Sequence, residues 1–218
     1  GLKARPFWNS AILAPRFLAG AFCSGPALLL LIFLVLRRVG RMEIRDEAVH
    51  KIGELLAYAM AINLFFLGVE AFAEFYAQTA HSVHATFQWF GTDGHNDMAI
   101  YTRLALAMNV TALIVFMVPA LRHRLPLLAT ACCLAFGGVY IEKGMGLLLP
   151  GLTPDAGIET RRGDLLDPAT LGEIYAYEPS LNEVLVGAGV WAIGALLFTL
   201  MVKVATAINS GELRVRAS

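Results

Sequence analysis

The sequence has few of the residues that build metal centres or thiol-based active sites. Only three cysteines occur among 218 residues, namely Cys23 and the adjacent pair Cys132 and Cys133. No Cys-x-x-Cys pair is present to hold zinc or an iron–sulfur cluster, and adjacent cysteines rarely form a disulfide. We therefore interpret all three as small buried side chains, and we expect no iron–sulfur cluster in this chain.

Histidine is also missing from the places where a membrane haem would need it. The five histidines all lie in polar segments or near the ends of apolar runs: His50, His81, His84, His95 and His123. A b-type haem within a bilayer needs histidines at haem depth on facing helices. No glycine-rich phosphate-binding loop and no motif of a catalytic nucleophile occurs in a sequence context that would support its function. The sequence therefore indicates no haem, no metal and no covalently bound cofactor.

There is no excess of charge of either sign. Seventeen basic and seventeen acidic residues give a net charge of zero, so nothing favours nucleic acid as a partner. In contrast, 57% of the residues are hydrophobic and the mean hydropathy is +0.63, which is too apolar for a soluble domain. Runs long enough to cross a bilayer occupy 15–36, 55–76, 100–121, 125–148 and 181–204. The sequence predicts an all-α, polytopic transmembrane helix bundle of five spans over residues 1–218.

The distribution of lysine and arginine predicts the topology. Residues 37–51 contain five basic side chains and residues 122–124 contain two, whereas residues 78–98 contain none. Residues 151–180 are acidic, and the tail after the last span is basic again. By the positive-inside rule, the N-terminus lies outside and the C-terminus inside.

The second span carries Asn63, Glu70 and Glu74. Spacings of seven and four place these side chains on one face of a helix. A carboxylate that faces lipid costs several kcal/mol, so they must face protein, water or a positive partner. Two interpretations remain open: a buried proton relay, or a structural ion-pair network that joins helices.

With the predicted orientation, five charged residues share one depth in the outer half: Glu70, Glu74, Arg103, Glu142 and Lys143. We predict that they are coupled. Two cations against three carboxylates leave one carboxylate without a full partner, and burial makes such a group a natural proton carrier. Glu70 is our candidate, with Asn63 positioned to bind a water that leads inward, and Arg103 is the expected counter-charge.

Two segments resemble a known family. The first comprises Trp8, Asn9 and Ser10 with residues 14–17 (APRF) and 21–25 (AFCSG); the second is residues 172–180 (GEIYAYEPS), followed by Glu183, Gly187 and residues 191–194 (WAIG). They are similar to NrfD-like membrane subunits, the family of polysulfide reductase membrane anchors. The resemblance implies the C-terminal half of a longer, two-bundle protein, so no quinone-binding residues are assigned.

The same resemblance implies a function. Such a subunit sits in a prokaryotic cytoplasmic membrane and passes electrons between quinone or quinol and a ferredoxin-like iron–sulfur subunit. Molybdopterin or multihaem cytochrome subunits accompany it, and this bundle is a candidate proton path. The alternatives are a proton-conducting, transporter-like half-bundle and a purely structural anchor of a respiratory complex.

The acidic segment 153–180 is longer than a simple helix connection requires, which is typical of functional loops. Tyr175, Tyr177 and Glu178 are candidates for a surface that contacts the iron–sulfur partner, and a lid over the bundle is the alternative. Ser180 and Glu183 form a capping-box pattern that predicts a helix start.

Overall fold

The computed structural model describes residues 8, 10–39, 44–77, 82–91, 97–144, 146 and 180–209. This part of the chain is almost entirely helical and contains no strand. Its helices are α1 (Leu13–Arg38), α2 (Asp46–Ala77), α3 (Ser82–Phe90), α4 (Asp97–Met117), α5 (Pro119–Arg122), α6 (Leu125–Lys143) and α7 (Leu181–Asn209). Five of them, α1, α2, α4, α6 and α7, are long and apolar enough to cross a membrane. The predicted multi-pass α-helical fold is confirmed, and the orientation of the termini stays a prediction.

Proline and acidic residues set two boundaries that differ from the predicted spans. Val118 has an extended backbone (φ −87°, ψ 110°) ahead of Pro119, because the proline ring disfavours a helical conformation in the residue before it. The predicted span 100–121 is therefore divided into α4 and α5. The second span also starts earlier than predicted. Helix α2 begins at Asp46 rather than at residue 55, because Asp46 and Glu47 suit the positive end of the helix dipole.

A short helix, α3, lies within the segment that the sequence predicted as a loop. It ends before Gly91, whose φ of 76° is left-handed and typical of a residue that terminates a helix. Arg103 donates from Nε to the Trp89 carbonyl at 3.2 Å. Gln88 Nε2 donates to the Gly146 carbonyl at 2.7 Å. These bonds fix α3 to α4 and to the segment that follows α6.

The chain divides into two compact units. The first contains residues 1–35 and 44–176, and the second contains residues 36–43 and 177–218. The core of the first unit is apolar and includes Cys23, Leu56, Met60, Phe116 and Cys132. The small side chains Ala131, Cys132 and Ala135 of α6 lie fully buried in it. Among the helices of this unit, α4 and α6 pack most closely, as small residues at a membrane helix interface allow.

The second unit contains α7, which begins as the sequence predicts. The Ser180 backbone N–H donates to Glu183 Oε2 at 2.7 Å, and the Glu183 N–H donates to Ser180 Oγ at 3.4 Å. This reciprocal arrangement is a capping box, which satisfies backbone donors that have no partner within the helix.

Candidate functional site

Six polar side chains meet inside the first unit, near the end where α1 and α4 begin and α2 and α6 finish. We call them the polar cluster: Arg16, Asn63, Glu70, Asn109, Glu142 and Lys143. Five of them are buried, with exposed fractions of 8% or less, and the Glu70 side chain is 15% exposed. Burial of this many polar groups is tolerated in an apolar protein only when they pair with one another.

Glu142, near the end of α6, is the centre of the polar cluster. Its Oε1 accepts hydrogen bonds from Arg16 Nη2 at 3.2 Å and from Lys143 Nζ at 2.7 Å. Its Oε2 accepts from Asn63 Nδ2 at 3.1 Å and from Asn109 Nδ2 at 2.8 Å. An ionised carboxylate offers about four acceptor positions, so Glu142 is saturated as an anion. The four donors come from α1, α2, α4 and α6, and one side chain therefore joins four helices.

Glu70 is held much less completely. Its Oε2 forms an ion pair with Arg16 Nη1, and within the described part of the chain this is its only ion pair or hydrogen bond. Its side chain is 15% exposed, against 6% for Glu142. Arg16 thus bridges the two carboxylates. Among the described residues, nothing occupies the other acceptor positions of Glu70, which lies at the partly exposed edge of the polar cluster.

Two glycines make room for the long side chains of the polar cluster. A Cβ at Gly20 of α1 would lie 2.8 Å from Lys143 Cε, and a Cβ at Gly138 of α6 would lie 2.3 Å from Asn109 Oδ1. Both distances are shorter than real contacts allow. The absence of a side chain at these positions lets α1 and α4 approach α6 closely enough for the hydrogen bonds to Glu142.

The structure brings together four of the predicted relay residues, Asn63, Glu70, Glu142 and Lys143. It also adds Arg16 and Asn109, which the sequence analysis missed. Arg16 is close to the start of its span, where an arginine usually extends to the membrane surface, yet it is only 2% exposed. Asn109 lies in the middle of a span, and an amide there needs a buried partner, so that position was a usable signal.

Arg103 and Glu74 are not part of the polar cluster. The buried face of α4 carries Thr102, Ala105, Asn109 and Ala112. At 100° per residue, Arg103 lies about 120° around the axis from Asn109, and it is exposed and bonded to Trp89. The predicted counter-charge at Arg103 is therefore corrected to Arg16.

Glu74 is partly exposed and forms no ion pair or hydrogen bond with a described residue. The polar cluster consequently contains two cations and two carboxylates. The predicted third carboxylate, Glu74, is not among its members, so the predicted excess of one carboxylate over the cations is not found in the polar cluster.

Three other predictions have different outcomes. Tyr175, Tyr177 and Glu178 lie outside the described residues, so the partner-facing surface stays a prediction. Cys23 and Cys132 are buried as expected, whereas Cys133 is exposed. Among the residues that the structure describes, no three or more His, Cys, Asp or Glu side chains are grouped so that they could hold a metal ion.

Comparison with known proteins gives one match. The family described as "Polysulphide reductase, NrfD" matches residues 1–153. This range contains α1 to α6, every member of the polar cluster and the first of the two segments that carry the resemblance. The second segment, at 172–194, lies beyond it. No curated protein and no solved structure matches the chain significantly.

Proposed function

The chain belongs to the NrfD polysulphide reductase family, and from this we propose that it is a quinone-interacting membrane subunit of an oxidoreductase complex. Members of the family typically have that role. In this proposal the chain passes electrons between membrane quinone and a ferredoxin-like iron–sulfur protein in a prokaryotic cytoplasmic membrane. Molybdopterin or multihaem cytochrome subunits complete the complex. The redox centres belong to the partners, so this chain's own residues bind the quinone and handle its protons.

The observation that supports this proposal is the contrast between Glu70 and Glu142. Oxidation of a quinol to a quinone releases two electrons and two protons, so a quinone site needs a nearby group that accepts and releases protons. Glu142 is unsuited to this, because four donors occupy its oxygens. Glu70 has one partner among the residues that the structure describes, and its side chain is 15% exposed.

Arg16 gives the proposed relay its reversibility. When Glu70 accepts a proton, the hydrogen bond from Arg16 Nη2 to Glu142 remains in place, so the packing of the four helices does not depend on the charge of Glu70. The protonated state leaves two cations opposite one carboxylate. Glu70 can therefore gain and lose a proton while the hydrogen bonds to Glu142 persist, as a relay requires.

The test is Glu70→Gln in the complete complex, reconstituted into liposomes. We expect the complex to assemble, and we expect quinol-dependent turnover to fall by about tenfold or more, in the range typical for loss of a positioned acid–base group. Glu54→Gln is the matched control on the same helix, because Glu54 lies outside the polar cluster and pairs with Lys51 three residues away. Turnover and proton movement at the wild-type level in Glu70→Gln would refute the relay.

A second function, a structural anchor, is favoured by the balanced charges of the polar cluster. A saturated carboxylate that joins four helices is what a packing element requires. Under that hypothesis, Glu70→Gln is fully active while substitutions of Glu142 prevent folding. Because both functions require Glu142 for packing, the activity of Glu70→Gln is the result that separates them.

A further inference from the structure

Two histidine rings from separate elements meet at the end of the first unit opposite the polar cluster. His50 lies in the second turn of α2, and His123 directly follows α5. Their ring centroids are 4.5 Å apart, and the ring planes are tilted by 52°. His50 is half-buried and His123 is exposed, so the pair can be reached from this end of the helices.

The packing of the helices holds the two rings together. Gly53 lies one turn after His50, and an added Cβ there would be 3.2 Å from both Cγ and Cδ of Arg122, the residue before His123. Helix α2 therefore lies close against the chain that carries His123. Arg122 Nη1 also donates to the Phe116 carbonyl at 2.8 Å, which fixes the Arg122 side chain to the end of α4.

One ring nitrogen of the pair has no hydrogen-bond partner. His50 Nδ1 is buried and forms no hydrogen bond with any residue that the structure describes. A buried polar atom in that state needs an explanation, and a bound water or ion is a common one. Imidazole nitrogen is a ligand that suits zinc, copper and nickel ions.

The distance between the rings fits two ligands on one metal ion. With a metal–nitrogen bond of about 2.0–2.1 Å, the metal lies about 3.2 Å from each imidazole centroid. Two imidazoles at a right angle then have centroids about 4.5 Å apart, against about 5.2 Å at the tetrahedral angle. The observed separation of 4.5 Å matches the right angle, which is the angle between adjacent ligands in the square-planar sites of Cu²⁺ and Ni²⁺.

We propose that His50 and His123 bind a divalent transition-metal ion of the copper or nickel type. No third His, Cys, Asp or Glu side chain is grouped with them among the described residues, so water completes the coordination. The ion joins α2 to the turn between α5 and α6, and it stabilises the folded chain by mass action. Sequence analysis did not predict this site, because the two histidines are far apart in the chain and follow no ligand-spacing motif.

The charged residues near the pair are balanced. Within four positions of either histidine there are three carboxylates and three cations, namely Asp46, Glu47, Glu54, Lys51, Arg122 and Arg124. Lys51 is adjacent to His50, and a neighbouring cation repels a metal ion. Removal of this charge should therefore strengthen metal binding without removing a ligand, which makes Lys51→Gln the matched control.

The first experiment measures Ni²⁺ binding to the purified full chain, without a polyhistidine tag, by isothermal titration calorimetry. In every sample glutamine replaces the three other histidines, His81, His84 and His95. We expect one Ni²⁺ per chain. His50→Gln and His123→Gln should each raise the Kd by about tenfold or more, since even residues that only support metal ligands contribute that much. Lys51→Gln should bind at least as tightly as its parent, and Mg²⁺, which prefers oxygen ligands, should not bind.

The second experiment needs no substitution within the pair. Cu²⁺ bound to the same parent protein should give an electron paramagnetic resonance spectrum with nitrogen hyperfine splitting from two imidazoles, and His50→Gln or His123→Gln should reduce the number to one.

Three results would overturn the proposal: a one-imidazole spectrum with both histidines present, an unchanged Kd for Ni²⁺ in either histidine variant, or no binding of Ni²⁺ to the parent. Each would mean that the two rings only pack α2 against the turn after α5. The site shares no residue with the polar cluster and neither measurement uses quinol, so its failure would leave the proposed function standing.

Discussion

The two ends of the first unit both carry charged residues, but they satisfy them differently. In the polar cluster, partners come from four helices; Arg16 and Glu142, for example, are 126 positions apart. At the opposite end, partners are local and more exposed. Lys51 pairs with Glu54 three residues away, and Arg122 Nη1 donates to the Phe116 carbonyl at 2.8 Å. The histidine rings of His50 and His123, 4.5 Å apart, also lie there.

The difference shows where tertiary structure depends on charge. A local, exposed pair can be lost with little consequence, because water replaces the partner. A buried pair from distant helices cannot, because the remaining charge stays in an apolar medium. The apolar core between the two ends contains no carboxylate, histidine or cation among its described members.

The largest effect should come from removing the central acceptor. Glu142→Ala leaves Arg16 and Lys143 without their shared carboxylate and leaves two buried amides without an acceptor. We expect a loss of about 3–5 kcal/mol in the free energy of unfolding, measured by denaturant titration in detergent micelles. Glu54→Ala at the opposite end is the control, with little change expected. Equal losses at the two ends would refute the contrast between them.

Arg16→Gln should come next, with a loss of about 3 kcal/mol, because it removes the cation between two carboxylates. Arg103→Gln should cost less than about 1 kcal/mol, because Arg103 only bonds the exposed end of α3. In a double-mutant cycle, Glu70→Gln should recover part of the Arg16→Gln loss, since it removes one of the unpaired carboxylates. A larger loss for Arg103→Gln than for Arg16→Gln would restore the prediction from the sequence that Arg103 is the counter-charge.

That prediction failed for a physical reason. Sequence spacing shows which residues share a helix face, and it correctly grouped Asn63 with Glu70. Their common depth in the membrane also correctly placed Glu142 and Lys143 near that face. Spacing does not show which face of one helix meets another, so Arg103 was assigned by depth alone although α4 turns it away from Asn109. Arg16 was missed because nothing in an apolar sequence distinguishes a buried arginine from one that extends to the surface.

The regular spans were predictable for a simpler reason. A bilayer requires about twenty apolar residues for each helix, and this signal is local in the sequence. By contrast, α3 is too short and polar for that signal to detect. The end of α3 depends on Gly91 and on a hydrogen bond from the distant Arg103. Sequence composition does not show that these residues act on the same helix end.

A smaller effect is expected where a glycine makes room for the polar cluster. Gly138→Ala places a methyl group 2.3 Å from the position of Asn109 Oδ1, so Asn109 must move away from Glu142. We expect a loss of about 1–3 kcal/mol in unfolding free energy. Gly25→Ala is the matched control, because an added Cβ there would have nothing within 4 Å apart from its chain neighbours and the backbone of its own helix. If both substitutions were neutral, the close approach of α4 and α6 would not depend on Gly138.

The smallest effect should be that of Glu74→Gln. Glu74 lies one turn beyond Glu70 on α2 but forms no ion pair or hydrogen bond with a described residue, so unfolding free energy should change by less than about 0.5 kcal/mol. Quinol turnover, measured beside Glu70→Gln, should also remain close to the wild-type rate. A loss as large as that of Glu70→Gln would place Glu74 among the functional carboxylates after all.

The separation of Arg16 from Glu142 also has a consequence for biosynthesis. During translation, Arg16 emerges with the first helix, and Glu142 emerges only after 126 further positions. Until then, its described ion-pair partner is Glu70 on α2. A chain truncated before the end of α6 retains an arginine with an incomplete set of partners, which is energetically costly in the bilayer. Assembly of the polar cluster is thereby coupled to synthesis of α6.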